Sequence, residues 1–206
     1  MLATLLLTLS LALAADPAKA HPHKGVVAAY SNGPPTISLS AQEQATLSSG
    51  KPVLKQIPSA TGGRGVAVFD VNASRDKVWS VITNYGMYPS WVDNVEKCAT
   101  YKRDGNSVYV DFVLDPVGMT VEYYIKHTFN PQAYWITWTL DYSRSSDLDD
   151  SVGFWKLTEV SPGRTRVEYS AAISITGWVP GFVKTMIEDK GLQNATSWVK
   201  VQSEKK

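Results

Sequence analysis

The chain has 206 residues, 44% of them apolar and 19% charged, and its 20 Lys and Arg against 19 Asp and Glu leave a formal charge of +1. So even a balance excludes the electrostatic footprint of a nucleic-acid binder and the polybasic patch of a protein held on anionic membranes. Cys98 is the single cysteine, which rules out an internal disulfide and any zinc site built on several thiolates; a small buried core residue is expected there.

Leu5 to Leu13 is an apolar run of signal-peptide length, and Ala12-Leu13-Ala14 supplies a small-x-small cleavage pattern. The run is too short to span a bilayer. Residues 1–14 are therefore expected to be an export signal, with the mature protein periplasmic or secreted; a buried N-terminal helix is the alternative. Residues 15–38 contain His21, His23, Gly33, Pro34 and Pro35 without sustained periodicity and read as a flexible lead-in. The two imidazoles have no third ligand nearby, so no metal site is expected.

Ser40-Ala41-Gln42-Glu43 has capping-box spacing, and Gly50 stands where a helix would stop, which predicts a helix over about 40–48. Pro52 to Ile57 alternates, Gly65 to Val71 is rich in β-formers, and Gly62-Gly63 separates them, which predicts a hairpin. Residues 39–63 thus extend a domain that begins at about residue 64. Ser74 has N-cap chemistry, Asp76 adds charge to the first turn, and Val78, Val81, Ile82 and Tyr85 recur at helical spacing, giving a helix of about 74–83. Gly86 interrupts it, and Tyr88-Pro89-Ser90-Trp91 opens a second short helical turn.

From residue 95 the period becomes two, with strands at about 95–103, 107–115, 119–129, 134–142, 151–160 and 165–175. Asp104-Gly105-Asn106, Pro116-Val117-Gly118, Asn130-Pro131-Gln132 and Ser161-Pro162-Gly163 supply turns between them. Pro180 then opens a helix that runs to about residue 202.

Within residues 64–202, Val78-Trp79, Tyr88-Pro89-Ser90-Trp91, Gly153-Phe154-Trp155-Lys156-Leu157, Thr165-Arg166-Val167-Glu168-Tyr169 and Val179-Pro180 stand at recurrent positions of a known family. The segment resembles a START-type or polyketide cyclase/coenzyme Q-binding domain of the SRPBCC superfamily. The resemblance implies an α+β helix-grip fold, in which a curved antiparallel β-sheet wraps a long C-terminal helix and two short helices follow the first strand. Its motifs are largely structural, and the superfamily includes lipid and sterol carriers, quinone-binding proteins and cyclases.

Alternation alone puts Val121, Tyr123, Ile125, His127 and Phe129 on one face, with Tyr134, Ile136, Trp138 and Leu140 on the neighbouring strand. Trp155, Leu157, Val167, Tyr169, Ala171 and Ile173 continue that surface. A close-packed core could use it all, but 7 Trp and 10 Tyr are hard to pack without voids. An aromatic-lined cavity with a few polar handles suits them as well. On the last helix Val183, Ile187, Gly191, Asn194, Trp198 and Val201 fall near one stripe. Gly191 in its middle costs about 1 kcal/mol relative to Ala, so a ligand or a bulky Trp from the sheet should fill the gap. With the resemblance added, the expected ligand-binding residues are Tyr88, Trp91, Phe112, Tyr123, His127, Trp138, Trp155, Tyr169, Met186, Ile187, Gly191 and Asn194.

Reactive groups that could converge are few. His127 is the only histidine of the expected domain and sits on an apolar face without an assignable orienting carboxylate. Asp141, Asp147, Asp149 and Asp150 read as a solvated loop, one of whose carboxylates could hold a ligand hydroxyl. No nucleophile elbow, phosphate loop or metal-ligand spacing is present, and no cofactor is expected. The expected function is non-enzymatic binding and transport of one apolar small molecule, such as a sterol, isoprenoid, quinone or other lipid, with transient membrane contact and no nucleic acid. A cyclase or aromatase-like enzyme using the same cavity is the alternative, and a filled core acting only through its surface is a third. Ligand entry is expected between the last helix and the loops at 116–119 and 174–180, with Gly177, Pro180 and Gly181 as the hinge.

Overall fold

The computed structural model describes residues 25–59, 62–115, 120–175 and 189–205. Ser40 caps α1 (Ala41–Ser48) through a complete capping box, its hydroxyl accepting from the Glu43 N–H while the Glu43 carboxylate accepts from the Ser40 N–H. Strands β1 (Val53–Ser59) and β2 (Gly62–Val71) pair as the expected hairpin. Ser74 caps α2 (Arg75–Ile82), and after a 3-10 turn over Tyr85–Met87 comes α3 (Tyr88–Trp91), with Pro89 in its first turn. The period-two region forms β3 (Val95–Asp104), β4 (Ser107–Leu114), β5 (Val121–Asn130), β6 (Trp135–Leu140), β7 (Asp150–Ser161) and β8 (Arg164–Ser174). The last described helix is α4 (Asp189–Ser203).

All strands lie in one 8-stranded antiparallel sheet of order β1-β2-β8-β7-β6-β5-β4-β3. Consecutive strands pair except at one place: α2 and α3 carry the chain from β2 to β3 at the far edge, so β2 pairs instead with β8, the last strand. This open, curved sheet with a C-terminal helix is the helix-grip α+β fold that the sequence predicts. Helices α2, α3 and α4 lie over the inner face. Gly65 on β2 lets α4 come close, because a Cβ there would meet the Leu192 side chain at 3.0 Å. Beyond β2, the Asn72 N–H donates to Glu204 and the Lys200 ammonium donates to the Asp70 carbonyl, pinning the end of α4.

The outer face is covered by the N-terminal part of the chain. Ile37 and Leu39 pack with Leu47, Val53 and Val68 in a small second core. Residues 25–38, read above as a flexible lead-in, contain no helix or strand but carry specific bonds to the sheet. The Val26 and Val27 N–H groups both donate to the Asp150 carboxylate at 2.7 Å. The Tyr142 hydroxyl and the Ser151 N–H donate to the other oxygen of that carboxylate at 2.6 and 2.9 Å. Tyr30 sets its edge against Phe154 at 5.2 Å, and Arg64 donates to the Tyr30 and Ser170 hydroxyls. A crevice of about 190 Å³ remains between this strap and strands β5 and β6, lined by Tyr30, Lys126, Trp135 and Thr137 among others.

Asp150 is 0% exposed, so removing its carboxylate takes this acceptor from the buried Ser151 N–H and from the part-buried bonds of Val26, Val27 and Tyr142. Asp150→Ala should lower stability by about 2–4 kcal/mol and open the backbone near Val26 to proteases. Denaturant titration and limited proteolysis measure both; unchanged cleavage would show that the strap does not depend on this carboxylate.

Candidate ligand site on the inner face

The strand register brings the aromatic residues of one face together. His127 on β5 lies opposite Trp138 on β6 and Val108 on β4, while Trp155 on β7 lies opposite Tyr169 on β8 and Ile136 on β6. Gly153 seats the Trp138 indole: a Cβ there would stand 2.1 Å from the ring and 2.3 Å from the Ser170 carbonyl oxygen. From the helical side, α4 contributes Trp198, α3 contributes Tyr88 and Trp91, and the 3-10 turn contributes Tyr85.

These rings form a closed circuit. Tyr88 meets Trp198 at 4.7 Å between centroids, Trp198 meets Trp155 at 6.4 Å, and Trp155 meets Tyr169 at 4.4 Å. Tyr169 then meets Trp138 at 5.9 Å, Trp138 meets His127 at 5.9 Å, His127 meets Tyr85 at 4.9 Å, and Tyr85 returns to Tyr88 at 5.5 Å. Trp91 stacks on Trp198 at 6.0 Å, and the parallel pair of Phe112 and Tyr123, 5.2 Å apart, joins the circuit at Tyr88. Offset and edge contacts of this kind each add about 0.5–1.5 kcal/mol beyond area burial.

Three polar groups on these rings are bonded within the fold. The Tyr88 hydroxyl donates to the Ile82 carbonyl at 2.6 Å, the Trp138 indole N–H to the Ser151 hydroxyl at 3.3 Å, and the Trp198 indole N–H to the Ala195 carbonyl at 2.9 Å. The Tyr85 hydroxyl and His127 Nδ1 are buried and have no hydrogen-bond partner. Burial raises the Tyr85, Tyr88, Tyr123 and Tyr169 phenols well above the ordinary tyrosine range. It lowers His127 to about 3, although a hydrogen bond to the Val108 backbone opposes that shift. His127 is therefore a neutral imidazole near pH 7.

Tyr88, Trp91, Phe112, Tyr123, His127, Trp138, Trp155 and Tyr169 thus share the inner face, which alternation predicts for Tyr123, His127, Trp138, Trp155 and Tyr169. Met186 and Ile187 lie outside the described residues, as do the anticipated entry loop at 116–119, the hinge at Gly177, Pro180 and Gly181, the pair His21 and His23, and residues 1–14. The stripe of α4 is rotated from the expected one. Asn194 is exposed, Gly191 is half-buried and Val201 is 55% exposed, whereas Leu192, Thr196, Trp198, Val199 and Ser203 are buried. Thr196 tolerates burial because its hydroxyl donates to the Leu192 carbonyl at 2.8 Å.

The carboxylates after Leu140 also differ from the expected solvated loop. Asp141 accepts from the Tyr101 hydroxyl at 2.6 Å and from both the N–H and the hydroxyl of Ser143. Asp147 accepts from the Glu122 N–H, and Asp150 holds the strap. Asp141 and Asp147 tie turns together; neither takes part in the inner aromatic circuit. Sequence reasoning missed Tyr85 as a site residue, because its spacing from Ile82 reads as more of the apolar stripe of α2. Asn84-Tyr85-Gly86 was the available signal: α2 stops at Ile82, and the 3-10 turn aims Tyr85 at His127. Among the described residues, no group of three His, Cys, Asp or Glu side chains is placed to hold a metal, and no helix is long and apolar enough to cross a membrane.

A histidine lowered by folding makes the unfolded chain the better proton acceptor between the two pKa values. Its contribution to stability is complete above about pH 6.5 and falls as pH drops towards about 3. His127→Phe should flatten this part of the stability profile. Chemical denaturation midpoints at several pH values test it, and parallel profiles for the two proteins would contradict a buried neutral imidazole.

Comparison with known proteins agrees with this architecture. Residues 71–196 match the family model described as polyketide cyclase / dehydrase and lipid transport. No curated protein sequence matches the chain. Among solved structures, the Zhui aromatase/cyclase from Streptomyces sp. R1128 superposes with a TM-score of 0.59 at 14% identity, covering 68% of this chain and 93% of that one. A STAR-related lipid transfer protein fragment from Xanthomonas axonopodis gives 0.59 at 14% identity, covering 75% and 93%. A START superfamily protein from Mycobacterium smegmatis gives 0.57 at 14% identity, covering 68% and 97%. At such identities the superpositions establish the fold alone, and with the match over residues 71–196 the chain belongs to the polyketide cyclase/dehydrase and lipid transport family.

Proposed function

We propose that the protein binds one apolar small molecule against the inner aromatic face and carries it, without chemical change, outside the cytoplasm. The observation that carries this reading concerns Tyr123 and Tyr169. Both are deep enough for burial to raise their phenols well above the ordinary range, yet each remains only half-buried by accessible surface. A side chain that is deep in the protein and still accessible borders open volume rather than close-packed neighbours. Its lining selects an apolar occupant: a sterol, isoprenoid, quinone or other lipid. Family membership supports a hydrophobic ligand, since the family description includes lipid transport. Uptake would involve transient contact with a membrane surface.

Cyclase or aromatase-like turnover of a substrate in the same volume would need a group that moves a proton near neutral pH. Burial works against that here, holding His127 deprotonated and Tyr85 protonated. Binding is accordingly the better-supported function. The apolar run Leu5 to Leu13 and the Ala12-Leu13-Ala14 pattern support export and removal of residues 1–14.

Native mass spectrometry of protein purified from a bacterial host expressing the full chain should reveal one non-covalent adduct that organic extraction removes. A protein without an adduct that also takes up no lipid from vesicles of the host's extracted lipids would overturn the carrier function. N-terminal sequencing of the same sample should begin at Ala15, and a retained Met1 would count against export.

A further inference from the structure

We propose that the outer face of the sheet carries a second, polar site: the crevice under the strap binds a small phosphate monoester through the Lys126 ammonium, with Thr128, Thr137 and Trp135 as further donors. This site is separated from the inner aromatic face by the sheet itself and does not rest on the carrier function.

Strand register builds its floor. His127 faces inwards, so Lys126 and Thr128 on the same strand face outwards. Lys126 lies opposite Tyr109 on β4 and Thr139 on β6, while Thr128 lies opposite Ser107 and Thr137. Lys102 on β3 reaches Tyr109 from the other side, being its register partner there. The roof is the turn of the strap over residues 30–33, closed by the Gly33 N–H donating to the Tyr30 carbonyl at 3.2 Å. Gly33 has φ +88° and lies against the Trp135 indole, where a Cβ would stand 3.2 Å from a ring carbon. Between floor and roof lie about 190 Å³, less than the roughly 300 Å³ from which pockets enclose drug-sized ligands. A small ion with a short polar tail fits; a whole lipid does not.

The polar groups around this space are donors left without partners. Lys126 and Lys102 place their ammonium groups 5.9 and 4.7 Å from the centroid of the same Tyr109 ring, and among the described residues neither forms an ion pair. Nearby carboxylates are engaged elsewhere: Asp111 pairs with Lys97, Glu122 accepts from Tyr124, and Asp141 accepts from Tyr101 and Ser143. Asp104, exposed at the end of β3, bonds to neither lysine. Thr137 is only 7% exposed, yet among the described residues its hydroxyl has no partner, and the same holds for the Thr128 hydroxyl and the Trp135 indole N–H. No Asp or Glu lines the crevice.

An ammonium, two hydroxyls and an indole N–H without an opposing carboxylate call for an anion rich in acceptors. A phosphate monoester carries about −1.5 to −2 charges at neutral pH on three terminal oxygens, which suits these donors and the pair of lysines. A carboxylate brings less charge and one oxygen fewer. A neutral polyol leaves both ammonium groups uncompensated.

Glycerol 3-phosphate, glycerate and glycerol share a three-carbon skeleton and separate these chemistries in titrations of the 15N-labelled mature protein at about pH 7.5 and low salt. The reporter is the Trp135 indole N–H resonance, assigned by its loss in Trp135→Phe. Glycerol 3-phosphate should shift it saturably, glycerate should bind at least about threefold more weakly, and glycerol should not bind. Lys126→Gln should weaken glycerol 3-phosphate binding at least about tenfold and Lys102→Gln about two- to threefold, at unchanged melting temperatures. The near-isosteric Thr137→Val should weaken it about threefold or more, and decides the matter if Lys126→Gln does not fold. Vesicles of phosphatidic acid in phosphatidylcholine identify the source of the phosphate. Capture of the unaltered protein but not of Lys126→Gln assigns it to a lipid headgroup, whereas glycerol 3-phosphate binding without capture assigns it to a free metabolite; both support the site. An unmoved Trp135 resonance at roughly 20 mM glycerol 3-phosphate, equal binding of glycerate or glycerol, or unchanged binding by folded Lys126→Gln or Thr137→Val overturns it.

Discussion

An open sheet has two faces to keep from water, and this chain has to cover them with different kinds of material. Side chains on the outer face are largely polar or small, and a strap plus one short helix suffices there. The inner face is a continuous aromatic surface, and exposing it would cost far more than a small domain can sustain. Covering it falls to a few residues: Tyr85 and Tyr88 from the crossover between β2 and β3, and Trp198 from α4. Trp198 has the central part, since it touches the helical side at Tyr88 and Trp91 and the sheet at Trp155. Without that indole, the path of ring contacts between helices and sheet would be broken on one side.

The same dependence explains why the polar atoms of the interior matter so much. An aromatic circuit of this composition brings hydroxyl and N–H groups into a region where water cannot serve them. The fold answers three of them locally, with Ile82, Ser151 and Ala195. These partners come from the same or adjacent elements, so they form as soon as the backbone does. Tyr85 and His127 come from a 3-10 turn and a strand far apart in sequence, and the fold supplies neither with a partner.

Much of this architecture could be read from the residues. Period-two alternation located the strands and put His127, Trp138 and Tyr169 on a common face, because that face follows from local geometry alone. Caps at Ser40 and Ser74 were equally readable, since their partners lie three residues away. The features that escaped depend on contacts distant in sequence. The face of α4 depends on where β2 and α2 lie beneath it, and a stripe with Gly191 at its middle put Asn194 on the wrong side of the helix. Asp150 looked like one of a group of loop acids, because nothing in its neighbourhood indicates that the amides of Val26 and Val27 will reach it. Tyr85 was hidden by a helix that ends one turn earlier than its apolar spacing suggests.

Asp150 also has a bearing on the order in which the chain can assemble. Its bonds to Val26 and Val27 span 124 and 123 residues, and the bond from Asn72 to Glu204 spans 132. Pairing of β2 with β8 is similarly distant, joining Gly62 to Ser174 at one end and Val71 to Thr165 at the other. Hairpins β3–β4, β4–β5 and β7–β8 close over short loops and can form early, whereas the amides of Val26 and Val27 have no acceptor until β7 brings Asp150 into place. Residues 26–30 are thus among the last to find their native partners, and until then the outer surface around Phe154 stays uncovered. Folding should consequently be slow for a domain of this size, and most exposed to misassembly before the two ends of the chain have closed.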